Sequence, residues 1–143
     1  MRVLLDTCVV IDVLQGREPF CRAGQSLFLL AANQRFTGCI TAKASTDIHY
    51  IMRRYFHDDK ESRATMQKLF TLFEVLDTTG MDCRRAIPST ISDYEDAVMI
   101  ETAARSDVDA IITRNAKDYI QSPVTVYSPD QFIAFLESLS GDE

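Results

Sequence analysis

Asp6, Asp47 and Asp96 are the residues of this 143-residue chain whose types and spacing could do chemistry together. Asp6 ends a short apolar run, Arg2-Val3-Leu4-Leu5, and precedes Val9, Val10, Val13 and Leu14 at helical spacing. A carboxylate thus stands where a buried strand stops and a helix begins. In open parallel sheets the carboxyl ends of central strands are where ligands bind. Asp47 falls inside the apolar stripe Ala44, Ile48, Ile51, Met52 and Tyr55, where an unpaired carboxylate is costly. Asp96 shares a helical first turn with Asp93 and continues in line with Ile100 and Ala103 along the inward face. A fourth oxygen-bearing group, Asn115 or Asp118, follows Ala110-Ile-Ile-Thr113 and repeats the opening arrangement. Each has a structural alternative. Asp6 and Asp93 suit helix N-termini, Asp47 suits a salt bridge or a cap to a neighbouring loop, and Ser92 with Glu95 has the form of a capping box.

The question is whether these groups meet. Two carboxylates about 5 Å apart at an effective dielectric near 20 repel by roughly 3 kcal/mol. Three mutual pairs would cost about 10 kcal/mol, as much as the whole stability of a domain, about 5–15 kcal/mol. A hard divalent cation removes that cost, and Mg²⁺ accepts one or two carboxylates together with waters and a substrate phosphate. No His or Cys is placed to favour a softer metal. Such an ion lowers the pKa of a bound water and offsets charge on a phosphodiester in transition.

The elements that must position these residues alternate along the chain. Helices are expected after Asp6, from Pro19 in a first turn to about Arg35, from Ala42, after Asp58-Asp59-Lys60-Glu61, around Met81–Ile87, from Ser92 to Arg105, and from Ser128-Pro129 onward. The third of these carries the Asp47 stripe, and the fourth has Ala64, Leu69, Leu72 and Phe73 as its apolar face. Strands are expected at Arg2–Leu5, Phe36–Ile40, Val75–Leu76, Ala110–Thr113 and Val124–Tyr127. The alternation predicts an α/β fold of three layers, a mainly parallel five-stranded sheet flanked by helices, with the first strand central and Ala110–Thr113 beside it. One domain spans 1–140, and 141–143 form a frayed tail.

Composition sets the outer bounds. Apolar residues make up 46% and charged ones 25%, an ordinary globular balance. No apolar run approaches the roughly 18 residues of a membrane span, and Arg2 is followed by too few apolar residues for a signal peptide. Cys8, Cys21, Cys39 and Cys83 are scattered without C-x-x-C pairs and read as reduced thiols of a cytoplasmic protein. A net charge of −6 excludes a simple basic nucleic-acid coat but not an enzyme acting on nucleic acid, since a bound cation can itself meet a phosphate.

Four stretches, LLDTCVVIDVL, STDIHYI, DYEDAVMIETA and AIITRNAKDY, match in order and spacing the PIN-domain ribonucleases, and this chain resembles their small single-domain members, the VapC-like toxins of toxin–antitoxin pairs. The match runs from Arg2 to the last strand. The resemblance implies a Mg²⁺- or Mn²⁺-dependent endoribonuclease hydrolysing RNA phosphodiester bonds through metal-activated water. It implies Asp6, Asp47 and Asp96 as the acidic metal-holding core, Asn115 as the fourth position, and Asp93 and Asp118 as secondary candidates. Thr7 would orient Asp6. It also implies a cognate antitoxin and a homodimer as partners. Lys43, Arg114 and Lys117 are expected near the mouth, where they would either hold RNA phosphates or serve as ordinary solvated charge. Arg53-Arg54 and Arg84-Arg85 are given no role, and His49 and His57 are read as structural or exposed.

Two positions depart from the family pattern. Cys8 stands where Asn is common, so any polar contact made there is in doubt, and Asp47 stands where Glu is common, one methylene longer. These departures leave open an inactive PIN-like domain acting as an RNA- or protein-binding regulatory module. A phosphoacceptor receiver domain, also α/β, fits worse, because Asp6-Thr7 is not an acid pair and Asp47 and Asp96 would go unused.

Overall fold

Arg2–Leu5 forms β1, and the alternation of its side chains sets the layering. Val3 and Leu5 point to one face of the sheet and Leu4 to the other, and all three are buried. The computed structural model describes residues 1–141. After β1 come α1 (Thr7–Leu14), α2 (Cys21–Ala32), β2 (Thr37–Thr41), α3 (Ala42–Phe56), α4 (Asp59–Leu72) and β3 (Glu74–Leu76). The chain continues through α5 (Gly80–Ala86), α6 (Tyr94–Arg105), β4 (Ala110–Ile112), a 3₁₀ turn at Ala116–Tyr119, β5 (Thr125–Tyr127) and α7 (Pro129–Gly141). The five strands are all parallel in the order β3-β2-β1-β4-β5, so β1 is central and pairs with both β2 and β4.

Two apolar clusters sandwich the sheet. Val3, Leu5, Ile40 and Ile112 meet α1, α2, α3, α4 and α7 through Val9, Val10, Leu27, Ile48, Met52, Leu69 and Phe132. On the other face Leu4, Cys39 and Ile111 meet α6 through Met99, Ile100 and Ala103. This three-layer α/β fold is the one expected. Its sequence order reverses at β1: the chain builds β2 and β3 outward on one side, then returns to lay β4 and β5 on the other. Between the carboxyl ends of β1 and β4 lies the crevice that open α/β sheets use for ligands.

Several local expectations are corrected. Pro19 precedes α2 rather than sitting in its first turn, because Phe20 is the N-cap and Cys21 opens the helix. That helix ends at Ala32, short of Arg35. Tyr55 is 53% exposed, because the buried i+4 ridge of Ala44, Ile48 and Met52 continues to Phe56. Ala64 is exposed, and Ser62, Met66 and Leu69 carry the buried face of α4. Asp93, not Ser92, caps α6, accepting from the backbone N–H of Asp96 at 3.0 Å. Ser128 and Gln131 do exchange the two bonds of a capping box at the start of α7. α7 includes Gly141, the first position of the expected tail, and the remaining tail positions, 142–143, lie outside the described residues.

Gly38 shows how closely the layers approach. A Cβ built on it would stand 2.5 and 2.7 Å from ring atoms of the buried Phe73, so β2 packs its bare backbone against that ring. Gly38→Ala is therefore expected to lower stability by about 1–3 kcal/mol through overpacking, measured as a fall in the urea midpoint at unchanged slope.

Candidate active site

Asp6 occupies the N-cap position of α1 but its side chain makes no capping bond. Its backbone is fixed instead: its N–H donates to Ile112 O at 2.9 Å, and its carbonyl accepts from Val9 N at 3.0 Å. Its carboxylate Oδ2 accepts from Thr113 Oγ1 at 2.7 Å and from Cys8 Sγ at 3.3 Å. Thr113 is fully buried at the end of β4, and its hydroxyl also accepts from Asn115 N at 3.2 Å. The hydroxyl that orients Asp6 therefore comes from Thr113 on the neighbouring strand. Thr7, given that part by the resemblance, is not among the hydrogen-bond partners of Asp6. Cys8 does make a polar contact: burial and the adjacent Asp6 carboxylate push its thiol up to about 11, so it donates as S–H at neutral pH.

Asp96 sits in the first turn of α6, half-buried. Burial, with added repulsion from Asp93, Asp6 and Asp118, raises its carboxyl to about 6, while the nearby Tyr119 hydroxyl pulls the other way. Tyr119 is 2% exposed, and its hydroxyl finds no partner of proper hydrogen-bond geometry. Burial and the surrounding carboxylates push its own pKa far above the usual range.

Two clefts meet at Asp6, Thr7, Ile51 and Asp96. One, of about 350 Å³, extends past Lys43, Asp47, Tyr50 and Glu95. The other, of about 570 Å³, extends past Cys8, Asp93, Asn115 and Asp118. Asp47 and Asn115 thus lie on opposite arms, and Asp6 and Asp96 stand at the junction. Asp47 is paired: Lys43 Nζ lies 2.5 Å from its Oδ2 and 3.2 Å from Glu95 Oε1. Lys43 is at the mouth as expected, but it bridges two carboxylates there. Among the described residues, no three His, Cys, Asp or Glu side chains converge closely enough to hold an ion by themselves.

The donor set fits a hard cation all the same. Its oxygens are carboxylate, hydroxyl and amide, its nearest sulfur is a protonated thiol, and open clefts leave room for waters. That suits Mg²⁺-type binding through one or two carboxylates, not an all-protein cage.

Arg114 lies elsewhere. Its Nε is 2.6 Å from Oδ2 of Asp12, a residue of α1 that is 1% exposed, and its guanidinium stacks on Phe20 with 4.2 Å to the ring centroid. It neutralises a buried acid and is not held out for phosphate. Lys117 is exposed on the 3₁₀ turn and lines neither cleft. Sequence reasoning also missed Asp12, Thr113 and Tyr119. Only Thr113 carried a readable signal, a hydroxyl ending the strand expected beside β1.

A family model described as PIN domain matches residues 2–117. The chain belongs to the PIN-domain family. Members of that family are generally nucleases. Solved structures agree on the fold. A toxin–antitoxin complex from Klebsiella pneumoniae superposes with a TM-score of 0.65 at 20% identity, covering 89% of this chain and 97% of that one. VapBC2 from Rickettsia felis, bound to a promoter DNA fragment, gives 0.65 at 14% identity over 90% and 98% of the two chains. DNA-bound VapBC from Salmonella typhimurium gives 0.64 at 15% identity over 90% and 98%. No curated protein sequence matches the chain.

Two predictions come from this geometry. Arg114→Ala leaves the buried Asp12 with only Arg17, 3.9 Å away, and is expected to cost about 3 kcal/mol in urea unfolding. Adding Asp12→Asn to that variant should recover part of the loss; no loss in the single variant would refute the assignment. The second concerns pH. In the cation-free protein the folded state keeps a proton on Asp96 up to about pH 6, whereas the unfolded chain releases it near pH 4. The folded state then binds more protons, so stability falls as pH rises through that window and levels off above it. The shift of Asp82, pulled down to about 2 against its burial by Arg105, Thr79 and Thr102, acts below this window. Urea midpoints in chelating buffer should show the descent in the native protein and a flatter profile in Asp96→Asn. Identical profiles would exclude Asp96 as its source.

Proposed function

We propose that this PIN domain is a metal-dependent endoribonuclease and the toxin of a toxin–antitoxin pair. The observation that carries the reading is the junction of two clefts at Asp6 and Asp96, at the strand-order reversal of a PIN-domain sheet. Asp6 and Asp96 would hold Mg²⁺ or Mn²⁺, with Asp47 and Asn115 on the two arms as further oxygen donors. When bound, the ion supplies charge neutralisation at the phosphodiester and acidifies a water.

The chain's own residues do the rest. Thr113 and Cys8 fix one oxygen of Asp6 and leave Oδ1 for the cleft. Half-burial keeps water from fully solvating Asp96, so its charge is less screened toward a bound cation. Lys43 lines the same cleft, and exchanging a carboxylate for a phosphate oxygen would put its ammonium on the substrate. The toxin reading draws on the neighbours described as toxin–antitoxin complexes and implies an antitoxin chain as partner.

A second reading has one observation in its favour. Lys43 already occupies Asp47 and Glu95, so the third acid is not free, as a catalytically weak RNA- or protein-binding module would allow.

One experiment separates them. Purified protein should cleave end-labelled single-stranded RNA in Mn²⁺ or Mg²⁺ and not in EDTA. Asp6→Asn and Asp96→Asn should each lower the rate by about 100-fold or more. Mn²⁺ should raise the Tm of the native protein and shift that of Asp6→Asn less. Undiminished cleavage in either variant sinks the proposed site, and RNA binding without cleavage or a Tm shift supports the module.

A further inference from the structure

The carboxyl-terminal half of α3 carries side chains that the acidic site does not explain. Tyr50 is 61% exposed and Tyr55 is 53% exposed, large rings left in solvent. The guanidinium of Arg54 lies over the Tyr50 ring, 5.8 Å from its centroid. With Arg53 and His57 these two line a shallow groove of about 470 Å³. Tyr50 also lines the cleft that holds Asp6, Asp47 and Asp96, so the groove and the cleft join at one side chain. Asp47, Tyr50 and Arg54 are spaced i, i+3 and i+7 and therefore share one face of the helix.

Arg53 and Arg54 form no ion pair among the described residues, whereas Arg2, Arg63, Arg105 and Arg114 each face a carboxylate. Complementing the helix dipole accounts for two cations in the last turn of α3. It does not account for two exposed tyrosines beside them. In a chain of net charge −6, uncommitted guanidinium groups next to a carboxylate-lined cleft mark where a polyanion can approach it.

We propose that this groove is a track for single-stranded RNA, receiving nucleotides adjacent to the phosphodiester held in the cleft. The inference rests on the endoribonuclease reading and locates that enzyme's substrate outside its acidic centre. Tyr50 offers a face on which a base can stack, and Arg54 backs the ring from its other side. Arg53 and Arg54 meet the phosphates. Only an unpaired strand presents base faces to such a platform, which sets single strands apart from duplex as the occupant.

The test uses the full chain and a fluorescein-labelled, 2′-O-methylated 12-nucleotide RNA that resists cleavage, with binding followed by anisotropy across a salt series. The double variant Arg53→Ala/Arg54→Ala should bind about 10-fold more weakly. Its slope of log affinity against log salt should fall by about 1.4, the value for two phosphate contacts on a single strand. Tyr50→Leu should lose about 5- to 100-fold with the slope unchanged, and Tyr50→Phe should retain affinity, since stacking needs the ring and not the hydroxyl. Arg84→Ala/Arg85→Ala, an exposed pair on α5 away from the clefts, controls for net charge, and matching Tm values control for folding. If the native protein cleaves RNA but Arg53→Ala/Arg54→Ala binds like the Arg84/Arg85 control, the track is wrong and the endoribonuclease reading stands. If the native protein neither binds nor cleaves RNA, both are wrong.

Discussion

A hydrogen bond between residues 107 positions apart, Thr113 Oγ1 to Asp6 Oδ2, ties the carboxyl end of β1 to that of β4. It exists only because the two strands are neighbours, and they are neighbours only because the chain returns to the central strand after building the opposite half of the sheet. The same junction carries Asp6 N–H to Ile112 O and Thr113 N–H to Tyr127 O. Three strands thus hold one carboxylate in place. A carboxylate oriented this way needs no capping bond, which explains why Asp6 leaves the first turn of α1 without one.

Acids placed inward must be balanced, and the fold balances each differently. Asp82 is buried between Arg105, Thr102 and Thr79, and these contacts overcome the cost of burial. Asp12 is met by Arg114, itself braced on Phe20. Asp47, expected within the buried stripe of α3, instead has a side chain 40% exposed and is met by Lys43 on the same helix. Among the described residues neither Asp6 nor Asp96 has a cation against it: Asp6 is held by Thr113 and Cys8, and Asp96 takes a raised pKa. A structural acid in an evolved core normally acquires a partner, as Asp12 and Asp82 do. The site where repulsion is left standing is therefore the one whose compensation is expected to come from outside the chain.

Much of this was legible in the sequence because it follows from periodicity. Short apolar runs gave the strands, and the two runs that stop at polar residues gave the two strand ends flanking the crevice. Asp96 could be singled out because it continues the line of Ile100 and Ala103. What could not be read were pairings across long separations. Asp12 sits in a stretch that is otherwise apolar, and nothing local connects it to Arg114. Arg114, taken alone, looked like a cation at the mouth of the site. Helix register was the other limit: one residue separates Ser92 from the true cap, Asp93, and one separates Tyr55 from Phe56. At such ends, tertiary packing decides between neighbours of similar propensity.

Cys8 shows how a departure from a family pattern can be absorbed. A thiol is a weaker donor than an amide, and in water it would do little to orient a carboxylate. Here its position is half-buried and beside Asp6, which raises its pKa and secures the proton it donates. The stronger bond to the same oxygen comes from Thr113, so Cys8 is an auxiliary contact and not the sole restraint. An amide at position 8 would supply a hydrogen bond that Thr113 already makes. The orientation of Asp6 is fixed from β4, and the thiol at position 8 adds a second donor to the same oxygen.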